Sequence, residues 1–130
     1  VDQIRKVENL LATTGRTVFF ENEDYLDAVT ALSGSGPAYF YYIVKAMIDA
    51  GMQMGMDEGV ATMLVKQTMQ GAYHMINNAN KSLDELIKIV ASKGGTTEAA
   101  LKTFSELGID KGLIEGIINA EKRAKELSSN

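Results

Sequence analysis

Ser33-Gly34-Ser35-Gly36-Pro37-Ala38-Tyr39-Phe40-Tyr41-Tyr42-Ile43-Val44-Lys45-Ala46-Met47-Ile48-Asp49-Ala50-Gly51-Met52-Gln53-Met54 is the stretch on which the fold turns. Its first five residues read as a break. Pro37 reads as a helix start, because proline has no N–H to leave unpaired in the first helical position. From Pro37 to about Met54 the only charged or amide side chains are Lys45, Asp49 and Gln53, spaced four apart. That is one narrow polar stripe on an otherwise apolar cylinder. A helix apolar on nearly every side must be surrounded. A chain of 130 residues has few other helices for that task, so the stretch predicts cover from a second copy of the chain. Extended to Met56 it is long enough to cross a bilayer, but charges at mid-span make it a poor membrane helix; no membrane partner is expected.

Outward from this helix the pattern stays helical. Asp57 is the expected N-cap of a helix running to about Ile76, with acid in its first turn and an apolar face of Val60, Leu64, Met69, Ala72 and Ile76. Residues 77–81 read as a loop. Ser82 and Glu85 have the spacing of a capping box, in which each side chain bonds the other's backbone N–H. Leu83, Leu86, Ile87 and Val90 form the apolar stripe behind it. Residues 92–97 interrupt, and a further helix runs on to Leu107, with Ala100, Leu101 and Phe104 inward and Gly108 at its end. Asp110 is the expected cap of the last helix, whose Leu113, Ile117, Ala120, Ala124 and Leu127 keep a spacing of three and four. Towards the N-terminus, Tyr25 to Leu32 reads as a short helix. Residues 1–14 read as an amphipathic helix on Ile4, Val7, Leu10 and Leu11, and Thr17 to Phe20 as a strand. A helix and a strand with no sheet before them suggest the tail of an α/β unit, and a chain opening at Val1 suggests a piece of something longer. The expected architecture is all-α over residues 22–130, with residues 1–21 a remnant of a preceding domain.

Composition narrows the function. The net charge of −4, from 13 Lys plus Arg against 17 Asp plus Glu, lacks the basic face that displaces phosphate counterions, so no nucleic-acid partner is expected. With no Cys and one His there is no thiolate nucleophile and no zinc site; the expected metal is none. His74 lies within a helix with no catalytic partner at useful spacing and reads as a surface or hydrogen-bonded residue. Met47, Met52, Met54 and Met56 read as core filling. No secretory leader is apparent, which points to the cytoplasm.

Two segments could carry chemistry. In residues 92–97, Gly94 and Gly95 permit close backbone approach, and the helix start that follows offers unpaired N–H groups and the positive end of its dipole. Ser92, Thr96 and Thr97 add hydroxyls. Together these suit a small anion such as a carboxylate or phosphate; the plain alternative is a turn and an N-cap. In residues 33–37, Ser33, Gly34, Ser35, Gly36 and Pro37 combine the same ingredients; there the alternative is that the glycines let two helices or two subunits cross tightly.

Residues 27–39, Asp-Ala-Val-Thr-Ala-Leu-Ser-Gly-Ser-Gly-Pro-Ala-Tyr, closely resemble the start of the C-terminal domain of the pyrroline-5-carboxylate reductase family. Residues 90–101, Val-Ala-Ser-Lys-Gly-Gly-Thr-Thr-Glu-Ala-Ala-Leu, resemble that family's second signature. Two motifs in the right order are more specific than either alone, and the resemblance covers nearly the whole chain. It implies the helical dimerisation and substrate-binding domain of an oxidoreductase that reduces 1-pyrroline-5-carboxylate to L-proline with NADPH or NADH, in proline biosynthesis. It implies an interlocked homodimer or a higher homo-oligomer, preceded by a Rossmann-type domain whose Gly-rich turn is absent here. It also implies roles. Ser92, Gly94, Gly95, Thr96 and Thr97 bind the substrate carboxylate. Thr97 lies near the ring nitrogen as the catalytic residue. Ser33, Gly34, Ser35, Gly36 and Pro37 lie at the nicotinamide end of the NADP or NAD cofactor. Lys93 stands where the family usually has Pro, Lys81-Ser82 where it has His-Pro, and Lys88 where it has an acidic residue. A non-catalytic dimerisation module of a reductase-like paralogue, and a related imine or hydroxyacid reductase, are the competing readings.

Overall fold

The computed structural model describes residues 5–6, 19–20, 25–92 and 94–129. Arg5–Lys6 (β1) pairs antiparallel with Phe19–Phe20 (β2), Arg5 opposite Phe20 and Lys6 opposite Phe19. This corrects the expected N-terminal helix at Arg5 and Lys6. One amphipathic stretch of that length is marginal as a helix on its own, and the β-prone Phe19–Phe20 offers an edge to pair with. The rest of the expected helix lies outside the described residues.

Every other described segment is helical or a turn. The helices are α1 (Leu26–Val29), continued by a π-helical turn (Thr30–Gly34), then α2 (Gly36–Gln53), α3 (Glu58–Asn78), α4 (Leu83–Ala91), α5 (Gly95–Glu106) and α6 (Ile109–Ser128). The chain divides into two compact units, Val1–Phe40 with Ile109–Asn130, and Tyr41–Gly108.

In the first unit α6 packs on α1 and on the π-helical turn. Ala31, in the middle of that turn, is 1% exposed. The α6 stripe read from the spacing is the one that turns inward: Leu113, Ile117, Ala120 and Ala124 are half-buried, while Leu127 stays exposed. Also on α6, Glu121 and Lys125 form an i, i+4 ion pair at 3.8 Å. Asp110 falls one residue inside α6 rather than at its cap. There its charge still faces the positive end of the helix dipole.

In the second unit α2 ends in a Schellman turn. Gly55 N–H donates to Met52 O and Met56 N–H to Gly51 O, both at 3.0 Å. Gly55 adopts φ +97°, a conformation that a Cβ would strain. Two residues on, the Asp57 carboxylate accepts from Gly59 N–H at 3.2 Å and caps α3. The reversal brings Gly51 against Ala61, which is 1% exposed. The α3 helix runs through Asn78, two residues past the expected end, where Asn78 Nδ2 donates to His74 O at 2.8 Å. Both halves of the α4 capping box form: Ser82 N–H donates to Glu85 Oε1 at 3.0 Å, and Glu85 N–H to Ser82 Oγ at 3.1 Å. Those bonds to Ser82, the backbone one foremost, hold the Glu85 carboxyl below its ordinary range.

The apolar faces read as inward are open in the single chain. Tyr42 on α2 is 74% exposed, Leu83 on α4 61% and Phe104 on α5 50%. Val60, Leu64, Met69 and Ile76 on α3, Ile87 and Val90 on α4, and Leu101 on α5 are exposed as well. Among the described residues only Ala31 and Ala61 are buried apolar side chains, and no large side chain is fully buried. The periods mark real apolar faces that stand exposed among the described residues.

Candidate functional site

The first candidate segment belongs to the first unit. Sequence reading places a break at Ser33 to Pro37. The structure narrows it to Ser35, because Ser33 and Gly34 close the π-helical turn. Thr30 begins that turn, with its Oγ1 donating to Leu26 O at 3.0 Å, a back-bond that tends to bend a helix. The wide-pitch ladder is explicit at Ser35, whose N–H donates five residues back to Thr30 O at 2.9 Å. The next carbonyl, Ala31 O, accepts the Tyr39 hydroxyl at 2.6 Å. Helix α2 starts at Gly36, so Pro37 is its second residue rather than its first. Its missing N–H still falls among those that have no partner within the helix. Gly36 is buried; among the described residues, its chain neighbours and its own helix backbone aside, no atom lies within 4 Å of the place a Cβ would take. The sequence carries no signal for the π-helical turn or for the Tyr39 bond. Single-turn π-helices concentrate at functional sites.

The second candidate segment belongs to the second unit. Ser92 ends α4; its N–H donates to Lys88 O and its Oγ to Ile89 O, both at 2.9 Å. Gly94 occupies the N-cap of α5 in an extended conformation, and no side chain caps the helix. Gly95, Thr96 and Thr97 are therefore its first three residues, not the loop that sequence reading makes of them. Among the described residues neither threonine hydroxyl has a hydrogen-bond partner. Thr97 is half-buried, while Gly94, Gly95 and Thr96 are exposed. The N-cap reading thus fails for both threonines: the helix begins before them. What remains is a start whose N–H groups converge uncapped, two hydroxyls beside them and a serine hydroxyl at the end of the preceding helix. That arrangement can receive one small anion through backbone N–H donors. Lys93 lies outside the described residues. Among the described residues His74 hydrogen-bonds with its helical neighbour Asn78, with 3.2 Å between Nδ1 and Nδ2.

The family of pyrroline-5-carboxylate reductase dimerisation domains matches residues 23–127. This chain belongs to that family. The match takes in both candidate segments and every helix of the structure up to Leu127. A pyrroline-5-carboxylate reductase from Pseudomonas aeruginosa is 40% identical over 127 residues, 97% of this chain and 46% of that protein. Pyrroline-5-carboxylate reductase 2 of Bacillus subtilis is 41% identical over 118 residues, 91% of this chain and 42% of that protein. Among solved structures, a pyrroline-5-carboxylate reductase from Coxiella burnetii superposes with a TM-score of 0.77 at 39% identity, covering 82% of this chain and 39% of that one. The Plasmodium falciparum pyrroline carboxylate reductase with NADP bound gives 0.78 at 28% identity, covering 81% and 40%. This member of the dimerisation family thus spans less than half the length of these relatives. The all-α reading of the fold holds. Among the described residues no helix is long and apolar enough to cross a membrane.

Proposed function

We propose that this chain is the dimerisation and substrate-binding part of a cytoplasmic oxidoreductase that reduces 1-pyrroline-5-carboxylate to L-proline with NADPH or NADH. The observation that carries the reading is the uncapped start of α5, in a chain that belongs to the dimerisation family. The substrate is a cyclic imine bearing a carboxylate. The N–H groups of Gly95, Thr96 and Thr97 suit the carboxylate, with the Ser92 hydroxyl beside it. The Thr97 hydroxyl, which has no partner among the described residues, is free to orient the ring nitrogen.

Ser33 to Pro37, a Gly-bearing helix start, would hold the nicotinamide end of the dinucleotide. When bound, that group would supply the hydride for the C=N bond. The residues of this chain do the positioning, and holding two reactants in near-attack geometry accounts for much of such a rate enhancement. The bare faces of α2, α3 and α4 support a homodimer, interlocked so that each copy covers the other, or a higher homo-oligomer built from such pairs. Burying one large apolar side chain is worth about 1.5–3 kcal/mol, so a dozen outweigh the entropy of association.

The test is NADPH oxidation with pyrroline-5-carboxylate, run on the full-length protein and on these 130 residues alone. The full-length protein should turn over and the 130 residues should not. A silent full-length protein would instead favour a non-catalytic dimerisation module. Sedimentation of the 130 residues should give twice 14.1 kDa; a compact monomer at micromolar concentration contradicts the pairing.

A further inference from the structure

The geometry points to Tyr39 as a positioning residue that holds residues 30–35 in the π register and so sets where Ser33 to Pro37 present themselves. In an α register the Ser35 N–H would donate four residues back, to Ala31 O. In the structure it donates five back, to Thr30 O at 2.9 Å, and Ala31 O is taken by the Tyr39 hydroxyl at 2.6 Å. Tyr39 thus bonds the carbonyl that the competing register would use and takes one of its two lone pairs. The bond is part-buried, and the residue that supplies the carbonyl is 1% exposed. Water is therefore a poor substitute for the phenol.

Sliding by one residue matters because it turns the following backbone by about 100°. Gly34, Ser35 and Gly36 would then face another way at the start of α2. A cofactor that needs the π register binds only the fraction of molecules in it, so its apparent dissociation constant rises as that fraction falls. The functional half of this inference rests on the proposed reading of Ser33 to Pro37 as the nicotinamide-side segment.

The experiment uses Tyr39→Phe in the full-length protein, which keeps the ring and removes only the hydroxyl. Thr30→Val is the control: it removes the hydroxyl bonded to Leu26 O in the same turn but leaves Ala31 O alone. Hydrogen exchange over residues 30–37, without cofactor, reads the register lock by itself. Steady-state kinetics read its consequence. Tyr39→Phe should speed exchange and raise KM for the dinucleotide about three- to ten-fold, the scale of one hydrogen bond. The KM for the imine and kcat should stay within about two-fold, and Thr30→Val should leave the dinucleotide KM where it was. Unchanged exchange overturns the lock. Faster exchange with an unchanged dinucleotide KM overturns the cofactor reading of Ser33 to Pro37. A lower Tm with neither change makes Tyr39 merely structural.

Discussion

The crossing of α2 and α3 at Gly51 and Ala61 can be tested by exchanging one methyl group between them. A Cβ on Gly51 would lie 2.9 Å from Ala61 Cβ and 3.6 Å from Met56 Sδ. Carbon atoms in contact settle at about 3.5–4.0 Å, so Gly51→Ala forces the helices apart by roughly 0.6–1.1 Å. In an open helix interior the same change would stabilise by about 1 kcal/mol. Overpacking costs about 1–3 kcal/mol, so the net is a loss of about 1. Ala61→Gly gives up about 1 kcal/mol of helix propensity and about 0.8 for a buried methyl, or about 2 in all. If the sites were independent the double variant would lose about 3 kcal/mol. If the methyl contact is the cause, the double variant only moves the methyl across, and it should lose less than about 1. The expected coupling is therefore about 2 kcal/mol, well above the additivity limit of about 0.5. Urea unfolding of the full-length wild type, both singles and the double, at one fixed protein concentration, measures it. Additive losses would refute the crossing.

Gly55→Ala places a Cβ on a residue at φ +97°, and it should cost about 1–2 kcal/mol as a lower Tm, with no effect on Michaelis constants. Thr97→Ala should lower turnover about ten- to a hundred-fold with little change in Tm, since its hydroxyl has no bond to lose among the described residues, while Thr97→Ser should keep most activity. Both are read by kinetics and a melt on the same samples. Glu85 binds fewer protons folded than unfolded over its ordinary range, because its folded value is depressed. Its contribution to stability is therefore present above that range and is lost as pH falls through the depressed value. Glu85→Gln should lower Tm slightly at neutral pH and not at all once the pH is below that value; a pH-independent difference would contradict the capping role.

Features encoded within a few residues were legible. Asp57 caps α3 where the sequence puts an N-cap, and Ser82 and Glu85 form the capping box that their spacing calls for. The α6 stripe from Leu113 to Ala124 turns inward as its period requires. Burial was not legible, because a period marks an apolar face and not what covers it. Leu83 and Phe104 satisfy their periods and lie open in the single chain. The geometry of the candidate segment was legible at one level and not at the next. Ser92, Gly94, Gly95, Thr96 and Thr97 do gather at a helix start, but that the helix begins at Gly95 and leaves Thr97 uncommitted depends on backbone geometry that two glycines leave open. At Thr30–Gly34 composition is silent, because an α and a π turn use the same residues and differ by one in hydrogen-bond partner. The bond that separates them comes from Tyr39, eight residues away from Ala31.

The turn at Gly55 also bears on the order of events as the chain folds. From Gly51 to Asp57, seven residues hold the end of one helix, the left-handed residue and the cap of the next. The contact they produce joins residues only ten apart, Gly51 and Ala61. Such short loops close in about 10–100 ns and helices grow within about a microsecond. This corner can therefore assemble before any distant part of the chain arrives. In the homodimer proposed above, the apolar flanks it leaves bare wait instead for another molecule, at a rate set by how many copies are present. In a cell making this protein slowly, the interval between the two steps is when its sticky helices are most exposed to aggregation.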